Sequence, residues 1–244
     1  MARKTALVTG AAVRLGRAFA EHLAARGYDL VLHTNTRRAQ ADALAKTLRQ
    51  RGRRVHVVQA DIARPVDVAA MFDAFPGKLD LLINRAAMFE KAPFLKLTDA
   101  QLARMVLTNL LGPMLVSRHA AERMGKGGQI VNMLDIAALQ PWRGFAHYCS
   151  AKAGLAMLTR VLALELAPNI RVNGIAPGTV LIPESYSAKE RQALAMPIPL
   201  GRVGEVQDVL RALDYLLEAP FITGTIQVVD GGRSQGEGGG SEVA

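Results

Sequence analysis

Short apolar runs rich in β-branched residues alternate with longer stretches of helical periodicity from the first residues of the chain nearly to the last. That rhythm is the pattern of a parallel sheet with helices on both faces, because parallel neighbours need a crossover between them and both sheet surfaces must then be covered. Residues 6–9, 29–33, 55–59, 79–84, 129–134, 170–175 and 225–229 read as strands, and the segments between them are long enough for helices. Gly27, Gly52 and Pro168 stand where the intervening helices should stop. The expectation is an α/β fold: a doubly wound, seven-stranded parallel sheet in three layers, forming one domain over residues 1–232.

Two stretches break the rhythm. Residues 179–200 carry three prolines and a polar helix-like piece at 187–195 directly after the sixth strand. In an open parallel sheet, ligands bind beyond the carboxyl ends of the strands, so an insertion there reads as a substrate lid. Residues 233–244, rich in glycine, read as a disordered tail.

Half of the 244 residues are hydrophobic and they are spread throughout, which excludes a disordered or fibrous chain. No run approaches the roughly 20 apolar residues of a membrane span, and Arg14 and Arg17 interrupt the apolar start early, so a cytoplasmic protein without membrane contact is expected. The single cysteine, Cys149, has no partner for a disulfide or a thiolate zinc site, and it reads as a small packed residue; no metal is expected. A net charge of +9 favours anionic ligands. Aromatic residues do not interleave with the arginines, so specific nucleic-acid binding is not expected and the anion is a small molecule.

The first strand runs into Thr9-Gly10-Ala11-Ala12-Val13-Arg14-Leu15-Gly16 and then a helical segment. Glycines allow close backbone approach to a pyrophosphate, and a helix N-terminus offers unpaired N–H groups and the positive end of its dipole. This turn resembles the Rossmann-type dinucleotide site of short-chain dehydrogenases/reductases, with Arg14 where their middle glycine usually stands. That variant is similar to the turn of pteridine reductases, and the resemblance implies that Arg14 lies by both the cofactor pyrophosphate and the pterin.

Binders of NAD usually place Asp or Glu about 20 residues after the glycine turn, at the end of the second strand. His33 takes that place and Arg37 and Arg38 follow, so NADPH is the expected cofactor, with one of the two arginines on its 2′-phosphate. The resemblance further assigns Asp61 and Ile62 to the adenine, Asn84 and Ala86 to the segment beyond the fourth strand, and Pro177 and Gly178 to the nicotinamide side.

Tyr148 and Lys152 lie four residues apart, on one face of a helix, where the ammonium can lower the phenol's pKa and make it a proton relay. This is the Tyr-x-x-x-Lys pair of the family, and Asn109 matches the asparagine that supports its lysine through water. Thirteen positions before Tyr148, where most members have Ser, stands Asp135. A carboxylate accepts hydrogen bonds and repels the oxyanion of a ketone under reduction, whereas a ring with N–H and amino donors would welcome it. Pteridine reductases resemble the chain here too. They imply that Phe89 stacks on the pterin, with Trp142, Phe145, His147 and Tyr186 candidates for the same pocket.

The sequence therefore points to an NADPH-dependent reductase of a C=N bond in a dihydropteridine or folate. Tyr148, Lys152, Asp135 and Asn109 would be catalytic, and Arg14, Phe89, Asp135 and Tyr148 would bind substrate. The alternatives are a ketone or 3-oxoacyl thioester reductase with the same cofactor half, and a dinucleotide sensor without turnover. Family resemblance alone implies a homotetramer.

Overall fold

The computed structural model describes residues 3–182 and 185–236. Among them, seven parallel strands form one sheet in the order β3-β2-β1-β4-β5-β6-β7. They are β1 (Thr5–Val8), β2 (Asp29–Thr34), β3 (Val55–Gln59), β4 (Leu79–Asn84), β5 (Met124–Met133), β6 (Ile170–Pro177) and β7 (Ile226–Val229). The helices are α1 (Arg14–Ala25), α2 (Arg38–Gln50), α3 (Pro65–Asp73), α4 (Asp99–Val106), α5 (Gly112–Ala121), α6 (Ala146–Glu165), α7 (Ala188–Ala195) and α8 (Val206–Glu218). No helix of the described residues is long and apolar enough to cross a membrane.

Alternation along the strands sends side chains to two cores. On β1, Ala6 and Val8 join Phe19, Leu23, Leu48 and Leu213 on the face covered by α1, α2 and α8. Leu7 points the other way and packs with Phe72, Leu82, Val116 and Val172 on the face of α3 and α5. Leu7 is 2% exposed. Truncating such a side chain to alanine costs about 2–5 kcal/mol, so the central strand is fixed firmly from both sides.

The expected strands are present, with one instructive difference. β5 begins at Met124, five residues before the expected start, and a register shift lies between Leu79 and Leu81 on its partner β4. Gly125, Gly127 and Gly128 carry no apolar signal, so the hydrophobic pattern could not show that the strand already pairs at Met124 with Leu79 of β4 and at Gly128 with Ile170 of β6.

The order of the sheet reverses between β1 and β4. Chains leaving these two strands in opposite directions open a crevice at their carboxyl ends, where open parallel sheets bind ligands. Gly10 follows β1 and Arg85 follows β4, so both stand at its mouth. The insertion after β6 contains α7, capped by Ser187, whose hydroxyl accepts from the Glu190 N–H. Arg233, expected to open a disordered tail, is instead buried in a short 3₁₀ turn, Arg233–Gln235. Asp230 holds that turn by accepting from the Gly232 and Ser234 N–H groups at 2.8 and 2.7 Å. Residues 237–244 of the expected tail lie outside the described residues.

Candidate active site

The turn after β1 is tight. Gly10 has φ +65°, and a Cβ on Gly16 would lie 2.1 Å from the Gly10 carbonyl oxygen. Arg14 takes up φ +52°, a left-handed conformation that costs a residue with a side chain about 1–2 kcal/mol. Its guanidinium crosses to the loop after β6 and donates to the Leu181 carbonyl at 2.8 Å. α1 starts at this point with no side-chain cap and no acidic residue in its first turn. Its N–H groups and dipole are thus open to an external anion, and the glycine cradle fits a dinucleotide diphosphate. Leu15 spends its side chain on the core beneath, so what it can offer a ligand is backbone.

His33 spends its ring nitrogens on backbone. Its buried ring accepts from the Gly10 N–H through Nδ1 at 3.2 Å and donates from Nε2 to the Ala60 carbonyl at 3.0 Å. Burial depresses its pKa from 6.5 to about 4, against smaller raising effects of the Ala60 bond and Asp61. The imidazole is therefore a neutral strut under the glycine turn, with both ring nitrogens already committed to backbone. A second strut is Thr9. Its hydroxyl accepts from the Arg85 and Ala86 N–H groups at 2.8 and 3.0 Å, fixing the chain after β4 against the chain after β1.

Beside these struts opens a cavity of about 270 Å³, lined by Gly10, His33, Arg37, Asp61, Ile62 and Ala86 with their neighbours. The structure thus brings together most residues expected at the adenosine end. Arg38 is not one of them: it pairs with Asp42, one helical turn on, at 2.9 Å. Asn84 is another correction. Its amide donates inward to Ser117, Asn132 and the Pro113 carbonyl, where it ties β4, β5 and α5 together. Arg104 of α4 holds the Asp61 carboxylate at 2.8 Å, a contact that nothing in the sequence signalled.

A second cavity, about 360 Å³, is lined by Arg14, Phe89, Asp135, Trp142, Tyr148, Gly178, Tyr186 and Arg233, among others. Pro177, its neighbour, ends β6. The Tyr148 hydroxyl donates to Asp135 Oδ2 at 2.9 Å, and the other carboxylate oxygen accepts from the Ala137 N–H at 2.9 Å. Lys152, buried on the same face of α6, donates to the Met133 carbonyl at 2.8 Å and lies 5.8 Å from the centre of the Tyr148 ring.

Electrostatics divide the labour in this group. Burial pushes the Asp135 carboxyl above its usual range, against the Ala137 N–H, Lys152, Tyr148 and Arg233. Burial, followed by the charge and acceptor role of Asp135, raises the Tyr148 phenol well above 10. Lowering by Lys152 was expected; burial, with the nearer carboxylate, outweighs it and keeps the phenol protonated. Lys152 itself falls to about 8, chiefly through burial, with Asp135 opposing and Arg85 assisting.

Phe89 stands at the rim, 54% exposed. It stacks on Phe145 with ring centres 4.8 Å apart and meets Tyr148 edge-on. Of the four further pocket candidates, Trp142 and Tyr186 line the cavity, whereas Phe145 supports Phe89 from below. His147 is buried with both ring nitrogens unpartnered among the described residues. Asn109 sits in a π-helical turn, Leu107–Leu111, and its amide donates to the carbonyls of Met88 and Met105. Among the described residues its side chain makes no direct hydrogen bond to Lys152. Cys149 packs beside Trp142 in a small apolar cluster, and burial raises its thiol. Arg85 and Arg233 were missed: one stands between Asn84 and Ala86 in the segment beyond the fourth strand, and the other was assigned to the tail.

A diphosphate cradle at the sheet's reversal, opening toward a paired phenol and ammonium, is the arrangement of an oxidoreductase that uses a nicotinamide dinucleotide. Sequence comparison agrees and narrows the class. The family described as Enoyl-(Acyl carrier protein) reductase matches residues 10–234. The 3β-hydroxysteroid dehydrogenase 1 of Eggerthella lenta is 34% identical over 244 residues, covering 95% of this chain and 94% of its own. Human 3-oxoacyl-[acyl-carrier-protein] reductase is 36% identical over 236 residues, with 94% and 97% covered. A blue fluorescent protein from a metagenomic library, solved in complex with NADPH, superposes with a TM-score of 0.88 at 29% identity, covering 94% of this chain and 97% of that one. The chain belongs to the short-chain dehydrogenase/reductase family, and it is an NAD(P)-dependent oxidoreductase.

Proposed function

We propose that the chain uses NADPH to reduce a C=N bond in a flat heterocycle bearing N–H and amino donors, a dihydropteridine or folate. The observation that carries this reading is the carboxylate of Asp135, which shares the cavity with Tyr148 and accepts its hydroxyl at 2.9 Å. Each carboxylate oxygen can accept a second hydrogen bond, so Asp135 can take donors from a ring while keeping Tyr148 aligned. A bound dinucleotide would supply hydride to the carbon. Tyr148, held protonated, would give its proton to the nitrogen, and the Lys152 ammonium would stabilise the phenolate left behind. Phe89 presents a ring face at the rim against which a flat substrate can stack. Arg37 is the arginine proposed for the 2′-phosphate, because it lines the adenosine-side cavity while Arg38 is held by Asp42.

The names of the two relatives favour a second reading, reduction of a ketone or a 3-oxoacyl thioester, and neither name points to a pteridine. The physical objection lies at position 135. A carboxylate replaces the neutral donor that a developing oxyanion needs, and loss of one such donor costs about 10²–10³ in rate. The deciding experiment follows NADPH consumption with dihydrobiopterin, dihydrofolate, a 3-oxoacyl thioester and a cyclic ketone, for the parent chain and Asp135→Ser. Loss of dihydropterin turnover by about 10²-fold, with a rise in ketone reduction, supports the pteridine reading. Ketone reduction by the parent chain that falls in Asp135→Ser overturns it. We also propose a homotetramer, which light scattering tests directly; Met114 on α5 and Met157, Val161 and Leu164 on α6 leave apolar surface exposed.

A further inference from the structure

Arg85 is a cation with no anion beside it among the described residues. It is half-buried, and none of the carboxylates of the described residues pairs with it. Its guanidinium lies against the first glycine of the cradle, 3.4 Å from the Gly10 carbonyl oxygen and 3.2 Å from the place a Gly10 Cβ would occupy. A charge removed from water without a counter-ion is unfavourable, and proteins keep one where a ligand supplies the missing partner. Arg14 is close enough to repel it, adding to the effect of burial in lowering its pKa. Arg14 has no carboxylate partner among the described residues either; its one hydrogen bond goes to a backbone carbonyl. Two arginines that repel each other beside an uncapped helix start therefore define an anion site of the protein's own making.

Its location selects the anion. Arg85 lines both cavities, the one with Arg37 and Asp61 and the one with Asp135 and Tyr148, and no other residue is shared between them. A ligand with its adenosine in the first and its nicotinamide in the second must thread its linking group past this side chain. In a nicotinamide dinucleotide that group is the diphosphate, with two negative charges. We propose that Arg85 is a cofactor-positioning residue, which with Arg14 and the α1 N-terminus clamps the diphosphate at the junction of the two cavities. The residue is particular to this chain's Asn84-Arg85-Ala86-Ala87 segment, and the inference is independent of which substrate is reduced.

The test measures dissociation constants on substrate-free protein by calorimetry, for NADPH, NADH and adenosine 2′-monophosphate, which has no diphosphate. Arg85→Asn should weaken NADPH and NADH alike, by about 10- to 100-fold for a lost charge-assisted contact, and leave adenosine 2′-monophosphate unchanged. Arg85→Lys should restore part of the affinity. Unchanged or tighter dinucleotide binding in Arg85→Asn would show that the side chain is a plug and would overturn the proposal. A loss confined to NADPH would also overturn it, by assigning Arg85 to the 2′-phosphate. If Arg85→Asn fails to fold, Arg85→Gln, which keeps more of the aliphatic stem and a neutral N–H donor, carries the same expectations. Because binding is read without substrate, failure here leaves the pteridine reading untouched, and failure there leaves this one.

Discussion

Replacing His33 with phenylalanine tests the claim that this ring is a neutral strut. The substitution keeps a buried aromatic ring but removes an acceptor from the Gly10 N–H and a donor from the Ala60 carbonyl. Each backbone group left unpaired costs about 1–3 kcal/mol, so His33→Phe should lose about 2–6 kcal/mol at pH 7. The pH dependence is the sharper signature. The folded pKa lies near 4 and the ordinary value is 6.5, so the unfolded chain takes up the proton first as pH falls. Stability from this residue is complete above the ordinary value and drains away as pH drops from 6.5 toward 4. At 1.36 kcal/mol per unit the whole window is worth about 3 kcal/mol, of which about 2 falls between pH 7 and pH 5. Urea unfolding of both proteins at half-unit steps, at one protein concentration, gives the comparison. The parent should lose about 2 kcal/mol more than the variant between pH 7 and pH 5. Parallel curves would mean that His33 titrates normally, as a ring open to the cavity would, and the strut would be refuted.

Arg37→Ala should raise the NADPH dissociation constant by about 10-fold or more while leaving NADH nearly unchanged; an equal loss for both cofactors would remove Arg37 from the 2′-phosphate. Gly16→Ala forces a methyl group against the Gly10 carbonyl oxygen and should abolish dinucleotide binding, as calorimetry would show, while far-ultraviolet circular dichroism stays close to that of the parent. Lys152 must carry its charge to stabilise a phenolate, and its pKa is about 8, so kcat/KM should fall as pH rises through that value. A profile flat to pH 10 would show that the ammonium is not needed.

The layered fold was legible because strand and helix periods alternate cleanly, and because Gly27 and Gly52, both at positive φ, mark helix ends that composition alone reveals. The glycine turn and the Tyr148–Lys152 spacing were legible for the same local reason: their chemistry is set by neighbours in sequence. What sequence does not encode locally is the direction of a side chain at a strand's end. His33 and Asn84 occupy positions from which cofactor contact was expected, yet the ring nitrogens of one and the amide N–H groups of the other are spent on backbone and amide partners within the protein. Tyr148 shows a related limit. Its lysine lies one helical turn away in sequence, but burial and the carboxylate of Asp135, which reaches its oxygen directly, together keep the phenol protonated. Arg85 and Arg233 escaped because a charged residue in a loop ordinarily faces solvent, and only tertiary packing brings these two to the cavities.

The wall of the Tyr148 cavity runs from Arg14, in the chain's first turn, to Arg233, four residues past the last strand. Arg233 donates there to the hydroxyl of Thr179, so the turn after β7 fastens the rim of the pocket. During synthesis, the glycine turn, the tyrosine helix and six strands can all leave the ribosome while this wall is still open. Competence to hold substrate should consequently arrive only once β7 and the Arg233 turn have been made, and a nascent chain stalled before β7 should take up no substrate.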